Sequence, residues 1–220
     1  MTMRVFSGMP DSIISSTRKL VSLTMVVVFA SALCGCLAAQ PGNLDNICEI
    51  FKEKRSWYKS ARKAADRWGV PIHVQMAIIY QESRFEADAK PPRNKLLGLI
   101  PTFRPSSAYG YAQIKDDTWD WYRTKSGNHG ADRDDFDDVV DFIGWYGDRS
   151  YRRLGISKWN AEKQYLAYHE GQGGYAKKTY RQKPWLIKVA HKVGINASRY
   201  ARQLASCQKE LDKGWGIWPF

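Results

Sequence analysis

The chain has 220 residues, 44% hydrophobic and 25% charged, ordinary globular values that exclude a disordered, collagenous or multi-span membrane protein. A net charge of +12, from 34 basic and 22 acidic residues, favours an acidic polymer or surface as partner, and nucleic acid, anionic phospholipid and an anionic cell wall all qualify. The aromatic share of 13%, with nine Trp and twelve Tyr, suits a Trp-rich helical core and also a sugar-binding groove.

In chain order, Arg18 and Lys19 precede an apolar run from Leu20 to Leu33, the basic and hydrophobic regions of a secretory signal. The run is shorter than the roughly 20 apolar residues of a spanning helix. It ends in Leu33-Cys34-Gly35-Cys36, which resembles the lipobox of bacterial lipoproteins, although Cys34 stands where Ala, Ser or Thr is usual. The resemblance implies that residues 1–35 are removed and that Cys36 carries diacylglycerol at the start of a mature domain, 36–220. The alternative is signal cleavage near Ala38-Ala39 and a soluble secreted product. If Cys36 is lipidated, Cys48 and Cys207 are left as an even pair in an oxidising compartment, where a disulfide is expected.

Helical patterning dominates the rest. Ile47, Ile50, Phe51, Tyr58, Ala61, Ala65 and Trp68 recur at a 3.6-residue period, predicting one helix over 43–68 that stops at Gly69. Pro71 suits the first turn of a second helix that carries Ile72, Val74, Ala77, Ile78 and Ile79 and gives out near Phe85. Pro91, Pro92, Pro101 and Pro105 forbid a continuous helix over 86–109, so this stretch reads as a long insertion with at most a small hairpin. Its length suits a lid or a contact surface for envelope machinery, or a tolerated insertion. Further helices are predicted over 113–122, 132–154 (stopped by Gly155), from the Asn160 cap to Gly171, over 185–193 and over 196–212. The predicted fold class is all-α.

Three short segments occur in order. Gln81-Glu82-Ser83 closes the second helix, where Glu82 shares a face with Val74 and Ile78. A carboxyl leaving an apolar stripe is poorly solvated, so its pKa should rise and keep a proton available near neutral pH. Gly110-Tyr111-Ala112-Gln113-Ile114 follows the insertion, and Ala167-Tyr168-His169-Glu170-Gly171 runs into a glycine-rich stretch. The ordered set Glu-Ser, Gly-x-x-Gln-Ile and Ala-Tyr-x-x-Gly resembles the soluble lytic transglycosylase family, relatives of goose-type lysozyme, over roughly Trp68 to Tyr180.

The resemblance implies a lysozyme-like α domain acting on peptidoglycan without metal or cofactor, in the cell envelope, facing the periplasm from a membrane, with the outer membrane expected. It makes Glu82 the catalytic acid and base, Ser83 a sugar-placing neighbour, and Gly110, Tyr111 and Gln113 one wall of the glycan groove. Gln113 is expected to donate to the substrate, and Tyr168 to hold the Glu82 carboxyl through its phenol. His169, where the family has Asn, becomes a substrate contact or a structural His, and Tyr111-Ala112 replaces the usual Leu-Met. A lysozyme-like hydrolase would need a second carboxylate, for which Asp116 and Asp117 are candidates. A non-catalytic wall-binding lipoprotein is a further alternative. Nucleic acid is set aside as partner, because no zinc-finger, RNA-binding or helix-turn-helix pattern is present.

Overall fold

The computed structural model describes residues 39–96 and 100–213; the predicted signal and Cys36 lie outside them. Seven α-helices are present among the described residues: α1 (Ile47–Glu53), α2 (Arg55–Trp68), α3 (Ile72–Ser83), α4 (Asp116–Ser126), α5 (Phe136–Leu154), α6 (Ala161–Ala176) and α7 (Pro184–Asp212). The insertion forms one short antiparallel pair, β1 (Lys95–Leu96) with β2 (Ile100–Pro101). No helix among the described residues is long and apolar enough to cross a membrane.

Local chemistry accounts for most boundaries. The side chains of Asn46, Asp135 and Asn160 accept hydrogen bonds from the first free amides of α1, α5 and α6. Gly69, Gly127 and Gly155 close α2, α4 and α5 in the left-handed conformation. The single helix expected over 43–68 is two, because Lys54 leaves the helical region at φ −113°, ψ 70°. The two helices expected over 185–212 are one. Leu186, Ala190, Val193, Ala197, Tyr200, Leu204 and Cys207 form an unbroken buried stripe that carries α7 through Gly194. The helix expected to begin at Gln113 begins at Asp116 instead.

α2 packs along α5, and α7 lies against both α3 and α6. Trp57 of α2 stacks flat on Phe136 of α5, with ring centroids 4.1 Å apart, and the edge of Tyr111 meets both rings. Tyr122, Phe142 and Trp145 continue this aromatic core toward α6. The aromatic richness of the sequence is thus largely spent inside.

Cys48 of α1 and Cys207 of α7 form the expected disulfide, 159 residues apart in sequence. Closing so long a loop limits the unfolded chain by about 5 kcal/mol in the chain-entropy picture, an upper figure. Cys48→Ser with Cys207→Ser should therefore lower stability by roughly 2–5 kcal/mol in denaturant titrations, with the helical far-UV signal retained before the transition. An unchanged midpoint would show that the bridge is not a staple of the fold.

Candidate active site

Glu82 occupies the last turn of α3, and the chain beyond it is fixed unusually. Arg84 and Phe85 both adopt positive φ, 54° and 67°, conformations that side chains with Cβ atoms rarely take. The cost is offset by Phe85, fully buried, which stacks on Trp57 and meets the edge of Tyr80. This plug ends the helix abruptly and fixes where the Glu82 side chain begins.

The carboxyl of Glu82 is pushed up to about 7 by burial, which strips water from its charged form; a hydrogen bond from the Tyr165 hydroxyl acts in the opposite direction but more weakly. Among the described residues no neighbouring carboxylate contributes to this proton affinity. The residue keeps part of its surface open, so the carboxyl is poorly hydrated yet within reach of a ligand. Tyr165 lies in the second turn of α6 with its ring buried, and its hydroxyl is held firmly protonated by burial and by the charge of Glu82. It serves the carboxyl as a hydrogen-bond donor.

The expected partner was Tyr168, one turn further along the same face of α6. Its hydroxyl instead donates to the carbonyl of Ala112 at 2.6 Å, which ties α6 to the Gly110–Ile114 turn. The two phenols therefore divide the work: Tyr165 meets the carboxyl, and Tyr168 holds the opposite wall. Tyr165 was missed because the motif begins at Ala167. The available signal was its i,i+3 spacing from Tyr168, which puts both rings on one helical face.

The Gly110–Ile114 segment is a tight turn closed by paired backbone hydrogen bonds between Tyr109 and Ile114. Gly110 adopts φ 79°, and a Cβ there would sit 2.0 Å from the carbonyl oxygen of Arg133, so no other residue fits without moving backbone. Gly110 N–H donates to Ala89 O at 3.0 Å, joining the turn to the chain that leaves Glu82. Gln113, at φ 49°, donates its side-chain amide to Ala89 O at 2.8 Å and to Gly110 O at 3.0 Å. Both amide protons are thus used internally, which leaves the Gln113 oxygen, an acceptor, as the group open to a ligand where a donor was expected.

The other three expected contacts lie in different settings. Tyr111 is 1% exposed and edge-packed on Trp57 and Phe136, a core residue that cannot line a groove. Ser83 is buried, and its hydroxyl turns back toward Ile79 O at 3.5 Å at the helix end. His169 is exposed, with Nδ1 3.3 Å from Glu170 Oε1 and its ring edge-on to Trp185 at 5.2 Å, a rim position.

Below that rim, Glu170 has a side chain only 3% exposed and is bound by Lys183 Nζ at 2.7 Å and by the Thr179 hydroxyl. Burial raises its pKa, but hydrogen bonds from Lys183 and Thr179 more than reverse this and hold it below the usual carboxylate range. It stays ionised as a structural anion. The helix expected to end at Gly171 continues to Ala176 after a kink there, at φ 72°, ψ 157°. Asp116 pairs with Arg133 at 2.8 Å, and with Asp117 it sits in the first turn of α4, where acids stabilise a helix start. Among the described residues no group of three or more His, Cys, Asp or Glu side chains is placed to hold a metal ion.

A half-open, proton-retaining carboxyl at a helix end, faced by a phenol from a second helix and walled by a glycine turn, defines a lysozyme-like all-α domain. A family model described as "Transglycosylase SLT domain" matches residues 24–207, and the chain belongs to that family. The family indicates a transglycosylase enzyme with peptidoglycan as substrate and a cell-wall-associated place in the envelope. No curated protein matches, and no solved structure matches.

Proposed function

We propose that the protein is a lytic transglycosylase that cuts the β-1,4 bond between N-acetylmuramic acid and N-acetylglucosamine, with Glu82 as both acid and base. The observation that carries this reading is a carboxyl at the end of α3 whose pKa of about 7 is set by burial and one phenol, with no second carboxylate acting on it among the described residues. A hydrolase of the two-carboxylate type needs a partner roughly 5–9.5 Å away to serve as nucleophile or to activate water. The acids nearest in sequence to the Gly110–Ile114 turn are engaged in an ion pair or a helix start.

In the proposed mechanism, protonated Glu82 gives its proton to the glycosidic oxygen as the bond to the muramoyl anomeric carbon breaks. The muramoyl N-acetyl carbonyl stabilises the positive charge left on that carbon. The Glu82 carboxylate then removes the proton of the muramoyl C6 hydroxyl, whose oxygen bonds to the anomeric carbon and closes a 1,6-anhydro ring. The carboxyl ends protonated, and no water is consumed. Tyr165 steadies the carboxylate formed midway, and the Gln113 oxygen and the His169 rim are the proposed sugar contacts. Mass spectrometry of muropeptides released from purified sacculi should give anhydro-muramoyl ends; reducing ends would assign the protein to the hydrolases.

Tyr165 is a positioning residue in this scheme. Its hydrogen bond favours the charged carboxylate, so Tyr165→Phe should raise the Glu82 pKa further and carry the alkaline limb of the kcat–pH profile to higher pH. The same variant should lower kcat at pH 6 by on the order of tenfold, as the carboxyl loses its orientation. An unshifted limb would remove Tyr165 from the mechanism.

The proposed setting is the periplasmic face of the outer membrane, with lipid on Cys36 as the anchor. Residues 86–109, whose Phe103 is 73% exposed, are the proposed contact for envelope machinery.

A further inference from the structure

The positive charge of the folded domain is unevenly placed. Residues 39–148 carry sixteen basic and seventeen acidic side chains, whereas residues 149–213 carry fifteen basic and four acidic ones. Much of this excess lies on α7 and the turn leading into it. At about 100° per residue, Trp185, Lys188, Lys192, Ile195, Arg199 and Arg202 fall within one stripe of α7, opposite its buried stripe. Trp185 is 54% exposed and Ile195 56% exposed. Lys188, Lys192 and Arg202 are exposed and make no ion pair among the described residues, and the same holds for Lys177, Lys178 and Arg181 on the preceding turn. Lysines without partners, interleaved with an indole and an aliphatic side chain, are the composition of a surface that meets an anionic lipid interface.

A second observation bears on what this face meets. The chain enters the domain on the same helix: Tyr200 donates to Leu44 O, Gln203 Nε2 to Asp45 O at 3.0 Å, and Ile47 N–H to Gln203 Oε1 at 3.1 Å. Arg199, half-buried at the edge of that stripe, pairs with the Asp45 carboxylate at 2.8 Å. Eight residues lie between Cys36 and Asp45, at most about 30 Å of extended chain. An acyl anchor at Cys36 therefore holds the membrane within a short tether of the α7 face.

We infer that the Trp185–Arg202 face of α7 docks on anionic phospholipid as a second, non-covalent membrane contact that orients the domain. This rests on the proposed Cys36 anchor for its location only. Since the Trp185 ring also touches His169, the docked face borders the rim of the site.

The test uses the protein as exported and processed, mixed with phosphatidylcholine vesicles that contain or lack phosphatidylglycerol, with brominated acyl chains to quench nearby indoles. Trp185 emission, taken as the difference between wild type and Trp185→Phe, should be quenched only when phosphatidylglycerol is present, and the quenching should fade in 0.5 M NaCl. Each basic residue near such a surface changes binding about fivefold, so Lys188→Gln with Lys192→Gln should weaken the anionic-lipid-dependent binding by more than about tenfold. Retention on both vesicle types with Trp185 unquenched would leave the anchor standing and overturn the inference. Release from neutral vesicles with quenching on anionic ones would support the inference while removing the anchor. If the double variant instead lost pelleting with sacculi while Trp185 quenching stayed unchanged, the face would be a wall contact and the inference overturned.

Discussion

Glu82→Gln is expected to lower peptidoglycan cleavage by on the order of 10³-fold or more while leaving the helical fold intact. The amide is nearly isosteric and can still accept the Tyr165 hydrogen bond, so packing is preserved. It has no proton to give to a leaving oxygen and cannot take one from the C6 hydroxyl. General acid–base catalysis contributes typically 10²–10⁴-fold for one transfer, and here one group serves two transfers. Turbidity loss of purified sacculi and release of soluble muropeptides measure the effect. Near wild-type release by a folded Gln variant would end the assignment.

The same substitution should stabilise the protein at alkaline pH. The folded-state pKa of Glu82 is about 7, above the ordinary value of 4.5 that the unfolded chain would show. The folded protein thus retains a proton that the unfolded chain releases, and stability falls as pH rises between those values. Below about pH 4.5 the penalty is absent, and above about pH 7 it is fully developed. The shift corresponds to on the order of 3 kcal/mol, which Glu82→Gln removes. Thermal melts should show the variant several degrees more stable than wild type at pH 8, with the two converging at pH 4. Equal Tm values at pH 8 would mean that the carboxyl is well hydrated. The combination of lost activity and gained stability marks a group kept for chemistry at the expense of the fold.

How far the sequence disclosed this arrangement depended on the kind of signal. Helix identity was legible wherever the apolar stripe was long, as from Phe136 to Tyr146, and wherever a side-chain cap such as Asn160 marked a start. Boundaries that turn on a single backbone angle were not. Lys54 carries no compositional sign of leaving the helix, and Gly194 has the composition of a stop yet sits inside α7 because burial on both sides outweighs the propensity of one residue. The Glu82 pKa was legible because it follows from an apolar stripe ending in a carboxyl. The roles of its neighbours were not, because they depend on directions within a turn. Gly110 at positive φ sends Tyr111 into the core, and Gln113 spends its amide protons on the turn itself. Tyr165 and Tyr168 share a face of α6, and only three-dimensional placement shows which of them reaches Glu82 and which reaches Ala112.

The claim on which the rest depends is that Glu82 is half-protonated near neutral pH in the free enzyme. A ¹³C NMR titration of the glutamate side-chain carboxyl carbons, with Glu82 assigned by its absence from the Glu82→Gln spectrum, measures this directly. The account predicts one carboxyl that titrates with a midpoint near 7 and moves upward in Tyr165→Phe. A Glu82 midpoint near 4.5, among the ordinary carboxylates, would contradict it.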